Sequence, residues 1–184
     1  TKSVRRALAL APRHAAAWGL LGGLEASGGR FGEADKAFRR ALALKPRSAL
    51  LRCQRGTLAL LQRRLQGASA DFRVGISLDP RQPACYLGRS RLQQLLGDTK
   101  AALVDADTYL RLAPQDAGGW LHRGQLRLAV GAEEGALRDL QRAVKQRPKD
   151  RRGREVLASA YARRGLRRAQ GGDDGHLGET WPRH

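Results

Sequence analysis

Apolar residues recur along the chain with helical spacing, and prolines interrupt the pattern at a fixed interval. Each proline follows an apolar, helix-like stretch, such as residues 41–45 before Pro46. Proline cannot continue a helix and restricts the residue before it. Five prolines stand 34 residues apart: Pro12, Pro46, Pro80, Pro114 and Pro148. The pattern therefore predicts helices that come in pairs and repeat with the interval of the prolines.

Residue types also agree between the copies. With each proline at repeat position 32, the full repeats span 15–48, 49–82, 83–116 and 117–150. Position 4 is aromatic in three copies and position 20 is alanine in all four, which suits tight packing between two helices. These residues are Trp18, Tyr86 and Trp120, and Ala34, Ala68, Ala102 and Ala136.

A break in helical periodicity falls near the middle of each repeat. Glycines stand there, where a left-handed helix end favours them: Gly29, Gly97, Gly131 and Gly165. The second repeat has Arg63 at this place. We therefore expect its turn to be altered.

This combination of period and residue types resembles the tetratricopeptide-repeat family across about 165 residues. The resemblance implies an all-α fold, a right-handed α-solenoid of antiparallel helix pairs. We expect an array over 1–168, with a half-repeat at 1–14 and a capping helix at 151–168, and a disordered tail at 169–184. Because the chain opens with Thr1 and has no methionine, we expect it to be part of a larger protein.

Two positions of the repeat change together. Position 7 is arginine and position 23 is aspartate in the last three full repeats, whereas the first has Leu21 and Ala37. The two positions lie at heights where antiparallel helices would bring them together, so the sequence predicts three ion pairs. They are Arg55 with Asp71, Arg89 with Asp105, and Arg123 with Asp139.

The resemblance implies that the first helix of each pair lines a concave groove and that the protein is an adaptor or scaffold. A peptide or helix of a partner protein would bind there through apolar anchors. The alternative is that these residues simply face solvent or a neighbouring helix. The predicted groove residues are Leu20, Cys53, Gln54, Thr57, Leu87, Arg91, Leu121, His122 and Gln125.

Chaperone-binding members of the family hold a peptide carboxylate with lysine, asparagine and arginine side chains. At the corresponding positions this chain has Gly19, Gly23, Gln54, Ala84 and Gly88. The resemblance therefore does not imply that mechanism here.

The chain carries a net charge of +18. A cluster of cations near the C-terminus predicts, as an alternative function, binding of nucleic acid or another polyanion. An arginine-rich but merely solvated helix is the competing explanation. The predicted basic patch consists of Lys145, Arg147, Lys149, Arg151, Arg152, Arg154, Arg163, Arg164, Arg167 and Arg168.

No sequence motif indicates catalysis, so we expect no enzyme activity, no catalytic residues, no cofactor and no metal. The four histidines lack metal-ligand spacing, and no phosphate-binding loop is present. A weaker alternative is the regulatory array of an enzyme whose catalytic domain lies elsewhere. We expect Cys53 and Cys85 to be free thiols in a cytoplasmic protein, and no membrane span.

Overall fold

The computed structural model of the protein describes the backbone of residues 1–171 and the side chains of residues 1–166. Most of the predicted tail, residues 172–184, lies outside the described residues. All regular structure within 1–171 is helical, in ten helices: α1 Lys2–Leu10, α2 Ala15–Ser27, α3 Phe31–Leu44, α4 Ala49–Leu61, α5 Leu65–Leu78, α6 Pro83–Leu95, α7 Thr99–Leu112, α8 Ala117–Ala129, α9 Glu133–Gln146 and α10 Arg151–Gly171.

The helices pack in successive hairpins, as the repeat pattern predicts. The pairs α2–α3, α4–α5, α6–α7 and α8–α9 pack most extensively, each around a short turn. Two compact units result. The first, Thr1–Pro114, contains α1–α7, and there α3 also packs on α4 and α5 on α6. The second begins at Gln115, and in it α10 packs mainly on α9.

Three of the four hairpin turns have glycine in the left-handed region. The φ angles are 73° at Gly29, 85° at Gly97 and 79° at Gly131. The second repeat keeps the same conformation with Arg63 at φ 59°. Its hydrogen bonds match those of the first turn, because the amide of Arg64 donates to the carbonyl of Ala59, five residues back. The predicted alteration of this turn is therefore wrong.

Helix α10 differs from its prediction. It continues through Gly165 to Gly171, so the expected break at Gly165 and the expected disorder of residues 169–171 are wrong. An isolated glycine is tolerated inside a helix at a cost of about 1 kcal/mol relative to alanine. On α10, Ala160 is buried, and the Tyr161 hydroxyl accepts a hydrogen bond of 2.5 Å from Gln141 Nε2 of α9.

Small residues let neighbouring repeats approach around aromatic side chains. Phe72 of α5 is fully buried. A Cβ atom at Gly56 would lie 2.8 Å from its ring, and one at Gly88 of the next repeat would overlap it. Two aromatic residues at repeat position 4 also form hydrogen bonds. Trp18 Nε1 donates to the carbonyl of Pro12, and the Tyr86 hydroxyl donates to the carbonyl of Pro80.

The three predicted ion pairs are confirmed. Each arginine donates two hydrogen bonds of 2.5–2.8 Å to the two oxygens of its aspartate. The aspartates are buried and the arginines partly so. Asp71 raises the pKa of Arg55, and Asp105 raises that of Arg89, because the hydrogen bonds favour the charged guanidinium.

The first repeat uses a different buried carboxylate. Glu25 of α2 accepts a hydrogen bond of 2.8 Å from Arg5 of α1 and one from Arg30 at the following turn. These hydrogen bonds, from Arg5 first and Arg30 second, hold the pKa of Glu25 below its usual value. This cluster fixes α1 to the first full repeat and was not predicted from the sequence.

The expectation of free thiols is wrong. Cys53 of α4 and Cys85 of α6 form a disulfide with their Cα atoms 4.9 Å apart. Both side chains are fully buried. The bond passes over Gly75 of α5, where a Cβ atom would overlap Cys53 Sγ. The absence of a side chain at Gly75 provides the space in which the two cysteines meet.

Candidate interaction surfaces

One face of the first helices in the first unit carries apolar side chains that the fold leaves accessible. Residues three and four apart share a helix face, so repeat positions 2, 5, 6 and 9 lie together. Leu20 of α2 is 54% exposed and Leu50 of α4 is 44% exposed. Leu87 of α6 is half-buried and Arg91 beside it is exposed. We call these four residues the first-helix face.

Several predicted groove residues are placed elsewhere. Cys53 is buried in the disulfide and cannot contact a partner, so its assignment to the groove is wrong. Leu121 and His122 of α8, in the second unit, are also buried. Gln54, Thr57 and Gln125 are half-buried.

Two glycines on these helices pack closely against side chains of neighbouring helices and are not part of an open surface. A Cβ atom at Gly19 would lie 2.5 Å from Leu51 Cδ2, and one at Gly88 would overlap the ring of Phe72. The accessible apolar surface of the first unit is therefore narrower than the sequence predicts.

The predicted basic patch is largely open to solvent. Of its members with described side chains, all but the half-buried Arg164 are exposed. Carboxylates accompany two of them: Arg151 Nε lies 2.6 Å from Glu155 Oε1, and Arg147 Nη2 lies 3.8 Å from Asp116 Oδ1. Arg167 and Arg168 belong to α10, but their side chains lie outside the described residues.

A further surface, not predicted from the sequence, lies at the turn end of the second and third repeats. Two adjoining depressions of about 520 and about 690 Å³ are lined mainly by leucines and arginines. Leu61, Leu95 and Leu96 are among the most exposed apolar side chains of the described chain. The unusual arginine at the second turn was the one signal in the sequence that pointed to this place.

In residues 1–166, no group of three or more histidine, cysteine or acidic side chains is placed to hold a metal ion. None of the described helices has the length and hydropathy needed to cross a membrane.

The repeat residues and the helix pairs agree with one known family. A family profile described as "Tetratricopeptide repeat" matches residues 15–48. The chain has the tetratricopeptide-repeat fold. Both the predicted resemblance and the predicted fold class are confirmed. No curated protein has a matching sequence.

Several solved structures share this fold. The structure titled "Crystal structure of APC/C hetero-tetramer Cut9-Hcn1" superposes with a TM-score of 0.82 at 15% identity. The match covers 89% of this chain but only 33% of that one. A thermophilic protein of Thermus thermophilus, TTC0263, gives a TM-score of 0.76 at 23% identity, with 86% of this chain and 87% of that one covered.

A third similar structure contains a bound peptide. Its title is "First TPR of Spaghetti (RPAP3) bound to HSP90 peptide SRMEEVD", and it matches with a TM-score of 0.61 at 20% identity. The match covers 64% of this chain and 94% of that one. At these identities the likeness shows the shared fold, and some proteins with this fold bind peptides of other proteins.

Proposed function

We propose that this chain is a non-enzymatic adaptor or scaffold module that binds an apolar segment of another protein on its first-helix face. The observation that supports this proposal is the exposure of Leu20 and Leu50 on successive first helices of the first unit, with Leu87 half-buried on the next. Exposed apolar side chains that share one face are typical of surfaces that bind a peptide or helix.

The proposed ligand differs from an acidic C-terminal peptide held by a carboxylate clamp. The clamp positions of this chain carry glycine, alanine and glutamine, as Gly19, Ala84 and Gln54 illustrate. Of the two half-buried polar side chains nearby, Gln54 has its Oε1 atom buried, and the Thr57 hydroxyl donates to the carbonyl of Cys53. We therefore infer a ligand held mainly by apolar anchors.

Affinity purification with surface variants tests the proposal. The tagged chain, a Leu20→Glu/Leu50→Glu variant and a Val104→Glu control would be compared. Val104 of α7 is exposed on a second helix and offers a matched apolar-to-acidic change. A discrete protein retained by the wild type and the control, and lost from the double variant, supports the proposal. Retention by all three forms contradicts it.

The second candidate function is binding of a polyanion, such as nucleic acid, through the basic patch. Its supporting observation is the set of exposed cations on α10, including Arg152, Arg154 and Arg163. Such binding falls steeply with salt, by on the order of 10³-fold between 50 and 200 mM for about six phosphate contacts. Binding of an apolar segment on the first-helix face changes little over that range. Nuclease treatment and a salt series therefore separate the two candidates.

The predicted cytoplasmic location stays a prediction. The disulfide between Cys53 and Cys85 opposes it, because disulfides persist in oxidising compartments and are rare in the cytosol. The regulation of a separate catalytic domain also stays a prediction. Detection of such a domain on the same polypeptide or in a purified complex would support it.

A further inference from the structure

The turn between α4 and α5 keeps a strained arginine where the equivalent turns have glycine. Arg63 has a φ of 59°, and its counterparts Gly29, Gly97 and Gly131 have φ values of 73–85°. A side chain in the left-handed region is unfavourable for residues other than glycine. Strained backbone of this kind is concentrated at functional sites.

Arg63 stands between two apolar depressions. Leu60, Leu61 and Leu95 line the first with it, and Leu65 and Leu96 line the second. Leu61 is 57% exposed and Leu96 is 61% exposed. The five leucines come from the ends of α4 and α6 and the start of α5, so one edge of the first unit presents them together. We call these five leucines with Arg63, Arg64 and Arg91 the turn edge.

The turn edge is positively charged as well as apolar. Arg63 and Arg91 form no ion pair among the residues that the structure describes. Arg64 Nη2 lies 3.6 Å from Asp35 Oδ1, a long contact between an exposed arginine and a half-buried aspartate. Asp98, two residues after Leu96, caps α7 by accepting the amide hydrogen of Ala101. No acidic side chain lines either depression.

We propose that the turn edge docks an amphipathic helix of a partner protein whose apolar face is flanked by glutamate or aspartate. Two adjoining depressions suit two apolar anchors spaced along one helix face. The unpaired arginines favour acidic flanks by charge complementarity. Because the leucines line depressions rather than a protruding wedge, a helix fits the surface better than a flat anionic membrane does. This surface shares only Arg91 with the first-helix face, and its leucines are different ones.

The test uses synthetic peptides with the whole chain. The probe is a fluorescent helical peptide with leucines at i, i+4 and i+7 and glutamates on both flanks. One control peptide has the same composition in scrambled order, and another has lysine in place of glutamate. We expect the acidic amphipathic peptide to bind at least about tenfold more tightly than either control. The scrambled peptide lacks a continuous apolar face, and the lysine peptide carries the same sign of charge as the turn edge.

Chain variants locate the binding. Leu96→Glu should weaken it about tenfold or more, whereas Val104→Glu on α7 should leave it within about twofold, because only the former places a like charge in the apolar contact. Leu20→Glu on the first-helix face should also leave it unchanged. Failure of this proposal can therefore be distinguished from failure of the proposed function.

Substitution of Arg63 separates the effect on stability from the effect on peptide binding. Arg63→Gly should raise the melting temperature by about 2–4 °C, because it relieves the backbone strain. The same change should weaken peptide binding about threefold to tenfold, because it removes a complementary charge. Arg63→Lys keeps the charge and should bind like the wild type.

Three results would overturn the proposal. One is equal binding of the scrambled peptide, which would show general attraction to a chain of net charge +18. Another is an Arg63→Gly variant that gains stability with unchanged affinity. The third is binding to phosphatidylserine vesicles, lost in Leu96→Glu, without binding to the peptide, which would make the turn edge a membrane contact.

Discussion

Arg89 of α6 and Asp105 of α7 face each other across one helix hairpin, joined by two hydrogen bonds of 2.7 Å. The guanidinium Nε and Nη2 atoms donate to separate carboxylate oxygens, so the pair is bidentate. Asp105 is buried, whereas the Arg89 side chain stays 34% exposed. The first repeat fills the same two positions with Leu21 and Ala37, both buried. The molecule therefore contains both an ionic and an apolar version of one contact.

That comparison predicts how variants of this pair behave. Asp105→Ala should lower the free energy of unfolding by about 2–3 kcal/mol, less than for a fully enclosed pair, because water reaches Arg89. The double change Arg89→Leu/Asp105→Ala, which copies the first repeat, should recover most of this loss. Urea unfolding of Asp105→Ala, the single variant Arg89→Leu and the double variant measures it. A double variant as unstable as the sum of the singles would contradict the account.

The disulfide should contribute substantially to stability. Cys53 and Cys85 are 32 residues apart in sequence, and closing a loop of this length stabilises a protein by about 3–4 kcal/mol in the chain-entropy estimate. We expect reduction to lower the denaturation midpoint of the wild type. The Cys53→Ala/Cys85→Ala variant is the control and should not respond to reductant. Mass spectrometry after alkylation without reduction should find no free thiol in the native protein, and two alkylated cysteines would contradict the assignment.

Glycines of the first unit should respond to alanine according to their surroundings. Gly88→Ala should destabilise the chain by about 1–3 kcal/mol, because the added methyl group would overlap the ring of Phe72. Gly23 lies in the interior of α2, and a methyl group added there would have nothing within 4 Å. Gly23→Ala should therefore stabilise the chain by about 0.5–1 kcal/mol. Thermal unfolding of both variants checks the contrast, and equal effects would argue against the packing described for Phe72.

The Glu25 cluster predicts a specific pH dependence. Hydrogen bonds from Arg5 and Arg30 hold the pKa of Glu25 below its usual value in the folded chain. The stability it contributes is therefore present above the unfolded pKa of about 4.3 and is lost as the pH falls through the lower folded value. Urea unfolding of the wild type and Glu25→Gln should show the wild type more stable at neutral pH and the two forms converging in acid. A difference that is constant with pH would contradict this role.

The sequence predicted the helix pairs and the three ion pairs because both depend on residues that recur within a repeat. Arg89 and Asp105 could be matched since the same two positions changed together in every copy. The disulfide depends on stacking between repeats instead. Cys53 and Cys85 occupy different repeat positions, and they meet only because Gly75 leaves room between α4 and α6. No periodic pattern in the sequence marks that contact.

The turn edge likewise depends on contacts between repeats, which no periodic pattern in the sequence marks. Leu61 and Leu96 come from two repeats, and their shared exposure follows from how the helix ends lie in the folded unit. Arg63 departs from the glycine of the other turns, and this departure predicts a changed turn. The structure instead keeps the turn and strains the residue. Burial of Leu121 and His122 likewise depends on packing that the repeat numbering does not specify.

Hydrogen–deuterium exchange with a captured partner locates the binding surface. We propose that a protein segment binds across Leu20, Leu50 and Leu87 on the first helices of the first unit. We expect slower exchange in peptides from α2, α4 and α6 when the partner is bound, and unchanged exchange in α10. Protection confined to α10, or spread over the second helices α3, α5 and α7 alone, would contradict it.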